Sequence, residues 1–543
     1  MSEAPTTAES RQPESVRSPC EVLTGPDGSR GSTPSTAPSL PALRWWHFLL
    51  IAVVYLYAFP FFDKMRSANE VPRILMTRAM VDHGVLYIDQ VAGDLGEFAD
   101  TSNAPDGHTY PNKAPGPSLL AVPVYAVSKL LGVRSLRGVT WAFRIVVVTI
   151  PSLLFLPLFY RISQRFTADE SARRFALVAF AFASQAFPYA LLFMSHAPAT
   201  ISVGTAFGSA IALVRGEAGR RGWSAILVGF ASAMGVMMDY QAVMAASVIG
   251  LFVLLCAPHR IRNLVLMIVG AMPPAVVLLS YHKLAFGAFF KTGYDFAIDP
   301  STNSGFMGII GFNKAAITST FVLPSNGILV LAPWVLFAVL GLVATIAQRE
   351  ARLRRGAEAV ACAVIATAYL LFLCSLLPYM ARGGWCVGPR YMTVAMPFIA
   401  WLAAAGIEVA RRNRVTNVLA LAMVVASATI FVVGGTTFPH WPDPLLNPLY
   451  DLVFPLLRRG YAVHSLGTAV GLRGIYAILP LYLFAFLLIT WLLGLLQVRA
   501  LPKLAMVCAL AGLFVFGQSF FPRTDPSQVD PWPMIQTIWE PSR

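Results

Sequence analysis

The sequence predicts an all-α polytopic membrane protein of about 13 transmembrane helices, and three observations carry that prediction. Hydrophobic residues make up 56% of the 543 positions and charged residues only 13%, about half the charged share of a soluble domain. Long apolar runs recur almost to the end, separated by short Arg-rich connectors, and a helical span needs about 20 apolar residues. The alternation of apolar and polar positions that marks transmembrane strands is absent. These features exclude a cytosolic enzyme and a disordered chain. The net charge of +14 is spread through the connectors instead of gathered on one soluble module, so no nucleic-acid partner is expected.

The elements follow in order. Residues 1–43, rich in Ser, Pro, Thr and Gly with mixed charge, cannot bury a core and are expected as a disordered cytoplasmic tail. The first apolar run opens at Trp45 and Trp46, side chains suited to the membrane interface. It continues as a full span near 46–62, without the short apolar region and cleavage site of a signal peptide. Further spans are expected near 139–160, 175–192, 197–214, 222–238, 241–257, 263–281, 326–347, 358–378, 391–409, 415–433, 474–497 and 504–520.

The segment from Ala114 to Gly132 is apolar but interrupted by Pro115, Pro117 and Pro123. Laid on the outer surface, it leaves every second connector downstream strongly basic, from Arg161, Arg165, Arg173 and Arg174 to Arg411, Arg412 and Arg414 and on to Arg499 and Lys503. All then face the cytoplasm, as the positive-inside rule requires. The chain is therefore expected in the plasma (inner) membrane with its N-terminus inside and its C-terminus outside. The long loops 63–138, 282–325 and 434–473 fall on the outer face, and any chemistry belongs there.

The first of these loops carries SANEVPRILMTRAMVDHGVLYID, from Ser67 to Asp89. Val71, Ile74, Leu75 and Met80 fall near helical spacing with Arg73 and Arg78 between them, which predicts an amphipathic helix lying on the membrane surface. Asn69 is its expected N-cap, and Glu70 in the first turn complements the helix dipole on spacing alone. Arg144 opens an apolar span, where a cation is costly unless it is used or snorkels to headgroups. Arg390 follows Gly388 and Pro389, a turn that either aims the side chain inward or anchors it at the interface. Lys113 lies in an outer loop, and His196 and Asp239 stand at outer span ends. The six cysteines show no CxxC spacing and no metal signature is present. Asp89 and Asp94 are the loop carboxylates that an acceptor or a divalent cation would use. Tyr240, Tyr294, Trp385 and Tyr391 suit stacking on a sugar as well as an interface belt.

The stretch around Glu70 resembles the first outer loop of the GT-C glycosyltransferases. These are polytopic enzymes related to protein O-mannosyltransferases and aminoarabinose transferases (glycosyltransferase family 39-like), which use a polyprenyl-phosphate sugar. Members carry an Asp-Glu pair that opens a juxtamembrane helix, followed by a Gly; Asn69, Glu70 and Gly84 occupy those places here. Tyr110 to Leu120, YPNKAPGPSLL, is similar to a surface-lying Lys-Pro-Pro-Leu stretch, and WAFRI, from Trp141 to Ile145, to the Ala-Arg-Leu start of the second span. MSHAP (Met194 to Pro198) and MDYQ (Met238 to Gln241) sit at outer span ends, as polar signatures do in related bacterial proteins. Ser280 to Tyr294 and GWCVGPRY (Gly384 to Tyr391) resemble loops reading Phe-Gly then Gly-Tyr, and Trp-Gly-Pro-Arg-Tyr. The matches run in order over residues 45 to 410.

The resemblance implies a transmembrane catalytic module over 44–433, including the outer loop 63–138, with an outer loop and terminal helices over 434–543. It implies transfer of a sugar from a polyprenyl-phosphate carrier to a glycan, lipid or protein acceptor, with inversion at the anomeric carbon. Glu70 is the candidate base. Asn69, which replaces the acidic residue of relatives, and Asp89 join it as candidate catalytic residues. Arg144, Lys113 and Arg390 are candidates for the donor phosphate, and His196, Asp239, Tyr240, Tyr294, Trp385 and Tyr391 for substrate binding.

The chemistry is consistent with these residue types. A hydroxyl attacking an anomeric carbon needs a base, and a carboxylate in a partly desolvated cleft has its pKa raised toward that task. The phosphate leaving group needs its growing charge stabilised, which the planar fork of arginine does well. A transporter or lipid flippase would instead carry charges at the membrane midplane and an internal repeat, whereas here the ionisable groups concentrate in loops and at span ends. A non-catalytic scaffold that binds lipid-linked sugar is the reading that Asn69 keeps open.

Overall fold

The computed structural model describes residues 40–538, apart from 63, 65–66, 94–99, 218–220, 300–304, 306–307, 379 and 381–383. The expected tail up to Ser39 and the Asp94 carboxylate therefore lie outside the described residues. The chain is a multi-pass helical membrane protein. Eight described helices are long and apolar enough to cross a bilayer: Leu136–Ser163, His196–Val214, Arg260–Phe286, Arg349–Ser375, Arg390–Ala410, Arg414–Thr437, Ile475–Leu492 and Val498–Phe520. Shorter apolar helices cover Trp45–Tyr55, Gly222–Met238, Tyr240–Cys256 and Pro333–Ala347.

The remaining expected span, 175–192, is not one helix. Helix Glu170–Ala181 ends and a short turn of helix, Ala186–Tyr189, follows after a break. Ser184 holds the break: its hydroxyl donates to the Phe180 carbonyl at 2.8 Å and accepts from the Ala186 N–H at 3.2 Å. Such side-chain bonds offer the backbone an alternative to the helix ladder, and Pro188 in the next turn lacks a donor. Hydropathy is blind to both.

The helix expected after Asn69 is present as Val71–Asp82, but its cap is not the expected one and most of its surface is covered by protein. Glu70 is the N-cap residue, and no side chain caps the helix. Val71, Arg73, Ile74, Leu75, Met76, Thr77 and Ala79 are all buried, which occupies most of its circumference with protein contacts. Part of that cover is helix Gly116–Leu130: Thr77 Oγ1 donates to the Ser118 carbonyl at 3.0 Å and Ser118 Oγ to the Arg73 carbonyl at 3.1 Å. Gly116–Leu130 has 15 residues and contains Pro123; at 1.5 Å per residue it rises about 22 Å, short of a ~30 Å hydrocarbon core.

Two features fix the elements that bear the site. Helix Arg390–Ala410 is the most enclosed of the eight, with 89% of its apolar window buried. Its backbone touches that of Pro333–Ala347: a Cβ on Gly406 would lie 1.9 Å from the Phe337 carbonyl oxygen, and one on Gly341 2.0 Å from that of Leu402. Small residues at such crossings let membrane helices approach closely. The second feature is an antiparallel hairpin, Thr101–Asn103 with Thr109–Pro111, whose register pairs Thr101 with Pro111. One residue beyond that pair, the Asn112 N–H donates to the Asp100 carbonyl at 3.1 Å. Asp100 and Lys113 are thereby brought side by side.

Candidate functional site

A cleft of about 260 Å³ gathers side chains from separate parts of the chain. Asn69 and Arg73 come from the start of helix Val71–Asp82, and Lys113 from just beyond the hairpin. Ser195 and His196 open helix His196–Val214, and Asp239 and Tyr240 occupy the joint between two apolar helices. Tyr294 comes from the loop after Arg260–Phe286, and Arg390 and Tyr391 from the start of the most enclosed helix. Local folding explains the meeting of Lys113 with Tyr294. Gly293 lies so close to the hairpin exit that a Cβ there would sit 2.4 Å from Asn112 Cα. Lys113 Nζ consequently donates to the Tyr294 hydroxyl at 3.1 Å and lies 4.7 Å from the ring centre.

The cleft is strongly charged and almost closed to solvent. Lys113 Nζ pairs with Asp100 at 3.0 Å, and Asn69 Nδ2 donates to the same carboxylate at 3.4 Å. Burial raises the Asp100 pKa, but Lys113, Arg390 and Arg73 together outweigh it and hold the carboxyl below its usual range. Burial lowers the Lys113 pKa, and the Asp100 charge more than restores it, so the ammonium stays charged. Arg73 donates to the backbone carbonyl and side-chain oxygen of Asn69, and to Ser195 Oγ at 3.3 Å. Arg390 donates to the Tyr391 hydroxyl at 3.1 Å. Both arginines bury an Nε that has no partner, and neither has a carboxylate partner among the described residues.

Asp239 and His196 form a dyad in the same cleft. Asp239 Oδ2 accepts from His196 Nδ1 at 2.8 Å, from Ser195 Oγ at 3.0 Å and from Gln241 Nε2 at 3.1 Å. Burial would raise its pKa; His196 and these hydrogen bonds bring it down to about 2. The ionised carboxylate fixes Nδ1 of His196 as the donor, which leaves Nε2 as a buried nitrogen without a partner.

Glu70 and Arg144 are elsewhere. They face a neighbouring cavity with Phe61, Phe62, Thr140 and His440. Arg144 lies at the start of a π-helical turn, Arg144–Thr149, inside the long helix Leu136–Ser163, a local widening and under-winding that is frequent at functional positions. It donates from Nε to Glu70 Oε1 at 2.9 Å, from one terminal nitrogen to Oε2 at 2.7 Å, and from the other to the Pro60 carbonyl at 2.5 Å. The Phe193 N–H also donates to Glu70 Oε1, at 2.6 Å. The expected rise in the Glu70 pKa is therefore corrected. Burial pushes it up, but the Arg144 charge and hydrogen bonds win and hold it below the usual value. In this geometry the Glu70 carboxylate is bound to Arg144 and to the Phe193 N–H, and each nitrogen of the Arg144 guanidinium already donates one hydrogen bond.

Two other expected residues do not line the cleft. Asp89 is exposed, accepting from the Thr109 N–H at 3.1 Å and facing His108 Nδ1 at 3.1 Å, so it buttresses the hairpin. The Trp385 backbone lies beside His440. Sequence reasoning missed Arg73, Asp100 and Ser195 as site residues. Arg73 stands four residues after Asn69, a spacing that places both on one helix face, and the Pro105-Asp106-Gly107 turn between two short polar strands announces the hairpin that delivers Asp100. Among the described residues, no group of three or more His, Cys, Asp or Glu converges as a metal site would require.

Fold and site together define a multi-pass helical membrane protein with a buried, net-positive cleft at its helix ends. No family model matches the chain, and no curated protein matches it. Among solved structures it is similar to ArnT from Cupriavidus metallidurans in the apo state, with a TM-score of 0.44 and 15% identity over 91% of this chain and 79% of that one. It is likewise similar to the same organism's ArnT bound to undecaprenyl phosphate, with a TM-score of 0.45 and 16% identity over 91% and 80%.

Proposed function

We propose that the protein is a membrane glycosyltransferase of the GT-C type that moves a sugar from a polyprenyl-phosphate carrier to an acceptor hydroxyl at the outer face of the membrane. One observation carries this reading. Three cations, the buried Arg73 and the part-buried Lys113 and Arg390, line the cleft with Asp239, while Asp100 pairs with Lys113, and a largely desolvated excess of positive charge calls for an anion. A lipid phosphate supplies it. Arg73 and Arg390, with unpartnered Nε groups, are the phosphate ligands, and Lys113 adds a point charge.

In the transfer, the acceptor oxygen bonds to the anomeric carbon as the bond from that carbon to the phosphate oxygen breaks. The leaving phosphate takes the bonding electrons, and the three cations stabilise the charge that develops on it. His196 Nε2 takes the hydroxyl proton, while Asp239 holds the ring and stabilises the imidazolium, as the carboxylate does in hydrolase triads. The base is thus assigned to His196 in place of Glu70, and the amide at Asn69 anchors Arg73 and Asp100. Placement at the outer face rests on the distribution of basic connectors.

The test uses purified protein with polyprenyl phosphate as the binding probe and candidate polyprenyl-phosphate sugars as donors. Arg390→Gln is expected to weaken binding of the bare lipid phosphate by about tenfold to a hundredfold and to abolish product. Counterflow of a substrate with no covalent product, or lipid-phosphate affinity unchanged in Arg390→Gln, would overturn the reading.

A further inference from the structure

A second and larger cavity, with about 550 Å³ of free space, lies at the opposite end of the helix that carries Arg390. Helix Arg390–Ala410 has 21 residues and rises roughly 30 Å, the thickness of the hydrocarbon core. Arg390 lines the cleft at its start, and Arg411, immediately past its end, lines this cavity. The other polar lining residues all stand at helix ends. Ser171 is in the first turn of Glu170–Ala181, Asn417 in the first turn of Arg414–Thr437, Gln497 beyond Ile475–Leu492, and Lys503 near the start of Val498–Phe520. Their common level is a membrane interface, and the positive-inside distribution makes it the cytoplasmic one.

The cavity is rich in donors. No carboxylate is among its described lining residues, and Asp169, which bonds two of them, is committed: one oxygen accepts from Arg411 and the other from the Ser171 N–H at 2.9 Å. That pair engages one terminal nitrogen of Arg411 and offsets its charge only in part, so its remaining N–H donors stay available to a ligand. Lys503 has no carboxylate partner among the described residues, and the side chains of Asn417, Gln497 and Ser171 make no hydrogen bond there. An ammonium beside a guanidinium in a part-buried cavity repels it unless an anion sits between them. Leu421 and Leu493, with Leu40, Phe175 and Ile407, form the apolar part of the wall, a surface suited to the glycerol and upper acyl chains that a lipid headgroup brings.

We propose that this cavity binds the phosphate of an anionic phospholipid of the cytoplasmic leaflet, with Lys503 and Arg411 on the phosphate and Asn417 and Gln497 on the polar headgroup. Basic pockets between helices on this side of a membrane are suited to such headgroups. The site stands independently of the glycosyltransferase reading.

The experiment uses the full chain purified in a neutral detergent, titrated with short-chain phosphatidylglycerol, phosphatidylcholine or inorganic phosphate and followed by thermal unfolding and native mass spectrometry. Saturable stabilisation by phosphatidylglycerol is expected, with about fivefold weaker binding in Lys503→Gln and recovery in Lys503→Arg. Arg390→Gln, at the far end of the helix, should leave this component intact, which separates it from lipid phosphate held in the cleft. Competition by inorganic phosphate that is itself weakened in Lys503→Gln supports the same site with a soluble phosphate as its occupant. Equal stabilisation by phosphatidylcholine, no saturable binding, or a Lys503→Gln protein that folds and binds phosphatidylglycerol as the unmodified chain does would each overturn the proposal. Should Lys503→Gln not fold, Asn417→Ala replaces it with the same criteria.

Discussion

Arg144 closes a two-pronged ion pair on Glu70, at 2.9 and 2.7 Å, across 74 residues of sequence and with both side chains buried. The pair pins the start of helix Val71–Asp82 to the π-helical turn of the long helix Leu136–Ser163, and the Phe193 N–H ties in the loop that precedes Ser195 and His196. Glu70 thus lines the neighbouring cavity and not the cleft, and is joined to the cleft through the helix and loop that it ties together.

Removing one partner leaves the other as an unpaired buried charge, which costs about 3–5 kcal/mol. Glu70→Gln and Arg144→Gln should each lower the midpoint of thermal unfolding markedly, and the double substitution should recover part of the loss. A Glu70→Gln protein that melts like the unmodified chain yet loses transfer by orders of magnitude would return Glu70 to the role of base.

Acid should destabilise the protein in two stages. His440 lies 3.8 Å from Glu70, yet burial brings its pKa down to about 4, so it is neutral at pH 7. Its folded pKa is below the unfolded value, so the unfolded chain binds more protons between about pH 6.5 and 4, and stability falls as pH drops through that window. Glu70, Asp100 and Asp239 also have folded pKa values below their unfolded ones, with Asp239 at about 2. Their contribution is complete above the unfolded carboxylate range and is lost as pH falls below about 4.5. Unfolding midpoints measured from pH 8 to 3 should decline first gently and then steeply, and His440→Gln should make the upper stage shallower while leaving the lower one in place.

The sequence made the cleft legible where function and location coincide. Lys113, His196, Asp239 and Arg390 are polar groups at the edges of apolar runs, which is where hydropathy and the positive-inside rule place the interface, and the structure brings all four together. It misled where pairing decides. Nothing in the spacing of Glu70 and Arg144 says that each satisfies the other, because a contact between residues so far apart depends on how two helices cross. The same limit applies to residues 175–192, whose apolar composition fits one span while Ser184 breaks the helix with two side-chain bonds. The amphipathic pattern of Val71–Asp82 told only part of its packing for a related reason: Arg73 and Thr77 are polar by type but spend donors inside the protein.

His196 and Asp239 should act as one unit. Asp239→Asn removes the acceptor that fixes the Nδ1 donor, and His196→Gln removes the base. Each is expected to lower the transfer rate by about a hundredfold or more, with affinity for bare polyprenyl phosphate changed by less than threefold or so. The double variant should be little worse than either single one, because the two effects are not additive. Single-turnover rates and equilibrium binding measured on the same preparations separate these outcomes. Additive losses would break the dyad into two unrelated residues.

Gly293 sets the distance between Lys113 and Tyr294, and its removal can be distinguished from loss of the Tyr294 hydroxyl. Tyr294→Phe deletes one hydrogen bond to Lys113 and should weaken lipid-phosphate binding by about two- to tenfold. Gly293→Ala forces a Cβ to within 2.4 Å of Asn112 Cα and 2.8 Å of its carbonyl oxygen, so backbone has to yield at a cost of about 1–3 kcal/mol. The shift moves the hairpin exit, and with it both Lys113 and the Asp100 carboxylate that holds its charge. Binding should then fall further than in Tyr294→Phe, and the combined substitution should resemble Gly293→Ala alone, since the hydroxyl is already displaced. Isothermal titration with polyprenyl phosphate across the three variants checks the order. Gly293→Ala binding as tightly as the unmodified chain would show that the close approach of the two loops does not position Lys113.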